Sequence, residues 1–312
     1  MTIRFLVNFG LLAIPIGTTL GVLFGIQSHR QATGQAPLFV DNGVSTDTYC
    51  QKSYGISPPA KGLEYTLNPN QWGWTEGTPG SLCMNVTTFH NKTYPTSTTA
   101  PPFSVTWKYP PGPEDAPVHA FPNIRVDSPL LPVSLDSLQS INVDIAWSYA
   151  VGNRSASSTD VAKLTDSSLN ANVAIDMFMD SDKTKAGDSA KAGYEVMVWL
   201  ADFGAATQPI GLAQGAVATE IVNGTTFSLY GGQNSANQLY VLTWVAQDPV
   251  EKLNTDISPL IKRILATSND KFPKSSDYLG YIGLGSETLW AQDFVTFDVP
   301  KLAVDIHTSA SA

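Results

Sequence analysis

Short apolar or alternating stretches recur along most of the chain and predict β-strands. Each is rich in β-branched and aromatic residues, and most are separated by clusters of Gly, Pro, Asn or Ser that favour turns. Such stretches lie at 63–67, 103–107, 141–147, 173–178, 194–200, 226–230, 239–244, 279–284 and 294–297. We expect Trp147 and Trp244, which fall in two of them, to be buried in the core.

Only residues 256–265 show helical periodicity. Five Ile and Leu residues there recur at helical spacing, and Pro259 comes early enough to occupy the first turn. Many strands and one short helix predict an all-β fold. We expect a jelly-roll β-sandwich of two antiparallel sheets with a concave substrate cleft.

The N-terminus carries an uncharged run from Phe5 to Ile26. The run is longer than the apolar part of most signal peptides and just long enough to span a membrane, although Pro15 weakens it as a helix. Residues 1–30 are therefore predicted to be a cleaved signal peptide or an uncleaved signal anchor, with 5–26 as the membrane-anchoring part. In both cases the rest of the chain is exported, which predicts a secreted protein.

The remaining boundaries follow from composition. Residues 31–46 are predicted to be a polar stem, 47–306 a single folded domain and 307–312 a short polar tail. Charged residues make up only 14% of the 312 residues and the net charge is −9. Binding to nucleic acid needs clustered cations, so this composition argues against it and suits a neutral substrate. We expect a monomer.

Two further features fit an exported protein. The only cysteines, Cys50 and Cys83, are expected to form a disulfide, with two free buried thiols as the alternative. Four Asn-X-Ser/Thr sequons could accept N-glycans, at Asn85, Asn91, Asn153 and Asn223.

Acidic residues inside two apolar strands are the first candidates for chemistry. Alternation in 194–200 places Glu195, Met197 and Trp199 on one face, a combination that fits the floor of a cleft. Asp176 lies in the similarly apolar strand 172–178, on the same face as Asn172. The alternative for either acid is a charge on an edge strand that faces water.

A second set of candidates lies in segments with loop character. Glu287 follows a Gly-rich approach and precedes Trp290, although a solvated loop glutamate would show the same pattern. Asn70-Gln-Trp-Gly-Trp74 places Trp72 where it could stack on a pyranose ring, or where the loop could pack back on the core. We predict substrate contacts for Asn70, Trp72, Met197 and Trp290.

Other classes of site lack their motifs. The four histidines are scattered without zinc-site spacing, and there is no G-x-S-x-G elbow, P-loop or dinucleotide fingerprint. Asp180-Ser-Asp182 lacks the full calcium-loop pattern. We expect neither a metal nor an organic cofactor.

The strand around Glu195 resembles a family motif. Tyr194-Glu-Val-Met-Val-Trp-Leu200, followed by Gln208-Pro-Ile-Gly211, is similar to the Y-E-[IL]-M-I-W-L strand and the G-P-I-[GS] segment of glycoside hydrolase family 12. The Glu of that strand is the family's nucleophile, so the resemblance implies that role for Glu195. The cysteines bracket the Trp72 segment as the family's N-terminal disulfide does.

Three more segments extend the resemblance over roughly residues 49–305. Asn172-Val-Ala-Ile-Asp-Met-Phe178 is similar to N-V-A-Y-D-L-F, whose Asp hydrogen-bonds the nucleophile, which implies a supporting role for Asp176. Gly285-Ser-Glu-Thr288 falls where the family has G-T-E-P, which implies that Glu287 is the general acid/base. Asn70-Gln-Trp-Gly73 resembles N-x-W-G, whose Trp is a glucose-binding platform.

Two segments near the expected cleft depart from the family and bear on substrate preference. Thr288-Leu-Trp-Ala291 replaces P-F-T-G, and Tyr240-Val-Leu-Thr-Trp244 replaces the usual Y-S-F-V strand. The resemblance implies that 47–306 is a catalytic domain, a retaining endo-hydrolase of β-1,4-glucosidic bonds in cellulose-type or mixed-linkage glucans. The alternatives are a xyloglucan-specific endoglucanase and an inactive glucan-binding β-sandwich.

Overall fold

The structure is a computed structural model that describes residues 2–35, 38, 43–235 and 237–309. It divides the chain into two compact units, residues 1–44 and 45–312. The first unit contains helix α1 (Thr2–Ala32), which continues through Pro15 and exposes several large apolar side chains. Among the described helices, none combines the length and apolarity needed to cross a membrane.

The second unit is built from strands, as predicted. In chain order the described strands are β1 (Val44–Tyr49), β2 (Glu64–Asn68), β3 (Ser81–Phe89), β4 (Phe103–Lys108), β5 (Asn123–Asp127), β6 (Val133–Ser134), β7 (Leu138–Val151), β8 (Asn170–Asp180), β9 (Tyr194–Phe203), β10 (Ala218–Val222), β11 (Thr225–Gln233), β12 (Tyr240–Ala246), β13 (Lys252–Asp256), β14 (Tyr278–Gly285), β15 (Thr288–Trp290) and β16 (Val295–Thr308).

These strands form two sheets, which confirms the β-sandwich. The smaller sheet has the order β1-β3-β4-β16-β7-β13, and the larger has the order β10-β11-β12-β9-β8-β14-β5-β2 with β15 beside β8 and β6 beside β14. One pairing differs from the expected antiparallel sheets, because β12 runs parallel to β9. After β9 the chain crosses to the far edge of the sheet and returns toward β9 through the meander β10, β11 and β12. The last strand of this meander, β12, therefore runs in the same direction as β9.

The main core lies between the sheets and is filled by one face of each. Trp107 and Trp244 are fully buried there, and Trp147 is 3% exposed, which confirms the prediction for Trp147 and Trp244. Burial of such large side chains is the main stabilising contribution, and truncating one to Ala typically costs about 3–5 kcal/mol.

The predicted helix is confirmed as α4 (Ser258–Ala266), with Pro259 in its first turn and Leu260, Ile261 and Ile264 buried. The expectation of a single helix is wrong, because the domain also contains two shorter helices. These are α2 (Val161–Asp166) and α3 (Lys183–Ala186). Each begins at an Asp whose side chain accepts backbone N–H groups, and neither is long enough to show apolar periodicity.

The predicted domain boundaries stay predictions, although regular structure extends into the expected stem and the expected tail. Helix α1 extends to Ala32 and β1 begins at Val44, so regular structure enters both ends of the expected stem. Strand β16 continues to Thr308, two residues into the expected tail. Residues 36, 37, 39–42 and 310–312 of these two segments lie outside the described residues.

The four sequon asparagines differ in accessibility. Asn91, Asn153 and Asn223 are exposed. Asn85 is half-buried in β3, where its side-chain amide donates to the Ser104 hydroxyl and its oxygen accepts from Thr48. A glycan at Asn85 would have to replace these contacts, whereas the other three could carry one freely; occupancy stays a prediction.

The predicted disulfide is confirmed. Cys50, which directly follows β1, is bonded to Cys83 in β3, and the bond closes a loop with a sequence separation of 33. The loop contains β2 and the Trp72 segment. A cross-link of this length restricts the unfolded chain and thereby stabilises the folded one.

Replacing both cysteines with Ser should lower the free energy of unfolding by about 3–4 kcal/mol, because the unfolded chain regains its loop entropy. Urea unfolding followed by tryptophan fluorescence measures this change. A reducing agent should destabilise the wild type to the same extent and leave the Cys50→Ser/Cys83→Ser variant unaffected. Equal stability of variant and oxidised wild type would contradict the prediction.

Candidate active site

The outer face of the larger sheet brings two of the predicted acids together. In the β8–β9 pairing Glu195 lies opposite Phe178, and Asp176 lies opposite Met197. Directly opposed residues of antiparallel strands share a face. Glu195, Asp176 and Met197 therefore lie on one surface, called the site face below, while the opposite face of both strands packs into the core.

Apolar side chains surround the carboxyl groups on the site face and form what is called the apolar floor below. A second cluster of buried apolar residues, separate from the main core, occupies the site face: Phe121, Ala174, Phe178, Met197, Trp199, Leu239 and Val241. Such a floor suits the apolar faces of sugar rings and lowers the local polarity around any charge. The predicted shared face of Glu195, Met197 and Trp199 is confirmed, and their place on the floor of a substrate cleft stays a prediction.

Glu287 lies between β14 and β15 and is oriented by its neighbour. The hydroxyl of Ser286 is buried and lies 2.8 Å from the Tyr149 hydroxyl, which also accepts a 2.9 Å hydrogen bond from the Trp107 indole. Because Ser286 points into the core, the next side chain points the other way. Glu287 is consequently directed to the site face, where its charge acts on both Glu195 and Asp176.

Asn172 in β8 holds Glu287 on this face. The Glu287 backbone N–H donates to Asn172 Oδ1 at 2.8 Å, and the Asn172 side-chain amide donates to Glu287 Oε2. The Asn172 backbone N–H donates to the Glu287 carbonyl at 3.2 Å. Asn172 was predicted to share a face with Asp176, without a role of its own. Its position four residues before Asp176 in the same strand was the available signal.

Burial raises the pKa of all three carboxyl groups. For Asp176 burial is the largest cause, followed by the charges of Glu195 and Glu287, and its pKa lies well above the ordinary value. For Glu195 burial and then Glu287 raise the pKa. For Glu287 burial raises the pKa and the hydrogen bond from Asn172 opposes that rise. Burial and the repulsion between neighbouring carboxylates therefore both oppose simultaneous ionisation of the three groups.

Asp176 is the most deeply placed of the three. It is 5% exposed and its Oδ1 has no hydrogen-bond partner, whereas Glu195 and Glu287 are only partly buried. The described contacts include no hydrogen bond between Asp176 and Glu195, although the two are close enough to interact electrostatically. The predicted support of Glu195 by Asp176 stays a prediction.

The Trp72 segment lies beside the chain that links Glu287 to β15. Asn70 accepts from the Phe121 backbone N–H at 3.0 Å and donates to the Phe121 carbonyl at 3.2 Å. Ala120, the residue before Phe121, bridges to Thr288. The Trp72 side chain is 56% exposed, so it does not pack back on the core.

Trp290 lies at the flank of the site. In β15 it pairs with Asn170 of β8. Asn170 and Asn172 are two residues apart along β8, which corresponds to about 7 Å. The partly buried Trp290 ring borders two grooves of about 590 and 570 Å³, one with Asp202 and the other with Phe294. The structure thus groups Glu195, Asp176, Met197 and Glu287, while Trp290 stands outside that group.

Known proteins are similar to this chain in sequence and in fold. The model of the family described as glycosyl hydrolase family 12 matches residues 63–307. Xyloglucan-specific endo-beta-1,4-glucanase A of Emericella nidulans is 29% identical over 237 residues, which cover 76% of this chain and 83% of that protein. A probable enzyme of the same description from Neosartorya fischeri is 31% identical over 193 residues, or 62% of this chain and 67% of that protein.

Solved structures agree in fold. Endoglucanase 3 of Trichoderma harzianum has a TM-score of 0.64 at 24% identity and covers 84% of this chain and 98% of its own. A family 12 xyloglucanase from Bacillus licheniformis has a TM-score of 0.61 at 14% identity, with 84% and 100% covered. The family model and the curated relatives show that the chain is a glycoside hydrolase. The chain belongs to glycosyl hydrolase family 12.

Replacing Asp176 with Asn should change how stability depends on pH. A carboxyl whose pKa is raised by folding favours the folded state below its ordinary pKa, near 4, and loses that contribution as pH rises toward its folded pKa. The variant should therefore have a Tm close to wild type at pH 4 and about 3 °C or more above it at pH 8.

Thermal unfolding between pH 4 and pH 8 tests this expectation, with the exposed Asp166→Asn as the matched control. The control should follow the wild type at each pH. Some slope should persist in Asp176→Asn, because Glu195 and Glu287 also have raised pKa values. A difference in Tm that is the same at every pH would contradict the prediction.

Proposed function

We propose that the chain is a retaining endo-hydrolase of β-1,4-glucosidic bonds in glucans, with Glu195 as nucleophile and Glu287 as general acid/base. The observation that carries the proposal is the meeting of these two carboxyl groups on one apolar site face, with a third, more deeply buried carboxyl beside them. Retaining glycosidases require two such groups about 5–5.5 Å apart. Family membership supports the same reaction.

The different burial of the acids supports separate protonation states. When Asp176 and Glu195 share one proton, the more deeply buried Asp176 holds it, because ionisation costs most where solvent is excluded. Glu195 is then the carboxylate and can attack. Burial raises the pKa of Glu287, which favours the protonated form that a general acid needs at the start.

The reaction then proceeds in two displacements. Glu195 attacks the anomeric carbon and forms a covalent glycosyl ester while Glu287 transfers its proton to the departing glycosidic oxygen. Glu287, now a carboxylate, removes a proton from water, and the water oxygen displaces Glu195 from the anomeric carbon. The product keeps the β configuration, and both side chains return to their starting states.

The apolar floor and the exposed Trp72 ring support binding of a glucan chain. Flat apolar surfaces complement pyranose faces, and Asn70 fixes the segment that carries Trp72. We propose that Asn70 and Met197 contact the chain close to the cleaved bond. Trp290, at the flank, would contact it farther away.

A second candidate substrate is xyloglucan. The two relatives described above carry xyloglucan-specific names, which favours this substrate over unbranched glucan. Purified protein should be incubated with carboxymethylcellulose, barley β-glucan and xyloglucan, and new reducing ends measured. Fastest release from xyloglucan would support the second candidate; fastest release from either of the others would support the first. No release from any of them would contradict both.

We also propose that the protein is exported. The disulfide and the exposed sequons suit an oxidising, extracellular setting, and the apolar N-terminal run could direct the chain there. Whether 5–26 is cleaved or anchors the chain can be tested by N-terminal sequencing of protein recovered from culture medium and from membranes.

Glu195→Gln should lower kcat on β-glucan at least about a thousandfold, because an amide cannot form the glycosyl ester. The matched control is Glu220→Gln, since Glu220 lies opposite the fully buried Phe227 and so on the other face of the same sheet. Reducing-end release and thermal unfolding are measured for both. Wild-type activity in Glu195→Gln would overturn the mechanism, and an α-configured product in an NMR time course would indicate inversion.

Trp72→Ala should lower kcat/KM on β-glucan about tenfold, mainly through KM, because loss of a stacking surface costs about 1–1.5 kcal/mol. Phe294→Ala, which removes another exposed aromatic side chain, is the control. Initial rates over a range of substrate concentrations separate KM from kcat. An unchanged KM in Trp72→Ala would show that the ring does not contact the substrate.

A further inference from the structure

The hydrogen bonds between Asn172 and Glu287 allow only one orientation of the Asn172 side-chain amide. The Glu287 backbone N–H can only donate, so the Asn172 atom that receives it must be the carbonyl Oδ1. The amide Nδ2 is then the atom that faces Glu287 Oε2, to which it donates. Asn172 is fully buried, so solvent does not compete for these bonds.

This orientation distinguishes the two carboxyl oxygens of Glu287. Oε2 accepts the amide hydrogen, so a proton on that oxygen would oppose the Asn172 donor. The proton of the acid form therefore belongs on Oε1. Since Asn172 lies in β8, four residues from Asp176, the same rigid strand carries a contact to Glu287 and the carboxyl beside Glu195.

We propose that Asn172 is the positioning residue of the general acid: it holds the Glu287 carboxyl on the site face and directs the transferable proton to Oε1. This inference rests on the proposed role of Glu287. Asn172 itself does not exchange protons. It acts through Glu287, because its backbone and side chain fix that residue at three points.

The donor also has an electrostatic effect. A hydrogen bond to the ionised carboxylate favours ionisation, so the Asn172 amide lowers the pKa of Glu287 against the effect of burial. The titratable groups around Glu287 are Asp176 on β8, Glu195 on β9, Asp202 opposite Asn172 on β9, and His119 next to β15. None of them is altered by a substitution of Asn172, so a shift in pH dependence can be assigned to the lost donor.

The test is Asn172→Leu, which keeps the branched arrangement of the side-chain heavy atoms and removes both donor and acceptor. On β-glucan its kcat/KM should fall about 10–100-fold, less than the roughly 10²–10⁴-fold that general acid catalysis contributes, because Glu287 itself is retained. The alkaline limb of its pH profile should move to higher pH, since Glu287 loses a contact that favours ionisation and remains protonated longer. Asn172→Ala is the second variant should the Leu variant fail to fold.

A substrate with an activated leaving group separates positioning from structure. The 2,4-dinitrophenolate of 2,4-dinitrophenyl β-cellobioside departs without a proton, so kcat/KM for this substrate should fall less than about threefold in Asn172→Leu. Asn170→Leu is the matched control, because Asn170 is a buried asparagine of the same strand whose hydrogen bonds go to Ser168 and Ala206 instead. It should show no shift of the alkaline limb.

The outcomes distinguish this inference from the proposed function. If Glu287→Gln hydrolyses β-glucan at the wild-type rate, the proposed acid/base is wrong. If Glu287→Gln loses β-glucan hydrolysis and keeps the activated substrate, the proposed acid/base stands. Asn172→Leu is then decisive: equal losses on both substrates with an unchanged alkaline limb would overturn the positioning role. Failure of both Asn172 variants to fold would make the residue structural and overturn it equally.

Discussion

The central strand β8 has to satisfy two environments at once, because one of its faces packs into the core and the other forms part of the site face. Ala171, Val173 and Ile175 fill the core, while Asn172 and Asp176 alternate with them on the other side. Polar groups at buried positions are costly unless they are paired. The strand can carry them because the apolar packing on its other face stabilises the sheet.

Contacts on both faces of the sheet also hold Glu287 in place. Ser286 is anchored in the core through Tyr149 and Trp107, and Glu287 is held on the site face by Asn172. The acid is thus positioned by neighbouring strands rather than by the stiffness of its own segment. Side chains fixed by neighbouring rigid elements keep a more constant geometry than side chains on mobile loops, which suits the proton transfer proposed for Glu287.

The carboxyl groups of the site differ in burial, and this difference determines which of them ionises least readily. Asp176 is more enclosed than Glu195, and a shared proton resides where ionisation costs most. In the proposed mechanism, a neutral Asp176 allows the neighbouring Glu195 to be negative within an apolar surface. The arrangement destabilises the folded chain at higher pH, and this is the cost of preparing ionisable groups for chemistry.

The sequence by itself determined nine of the sixteen described strands, helix α4 and the face on which Glu195 and Asp176 lie, because these depend on local periodicity. The disulfide followed from the single pair of cysteines in a chain expected to be exported. Helices α2 and α3 depend on single Asp caps and gave no periodic signal. Tertiary structure alone decided the parallel pairing of β9 with β12, the exposure of Trp72 and the contact between Asn172 and Glu287. These contacts join residues up to 115 positions apart, and no local pattern encodes which distant strands become neighbours.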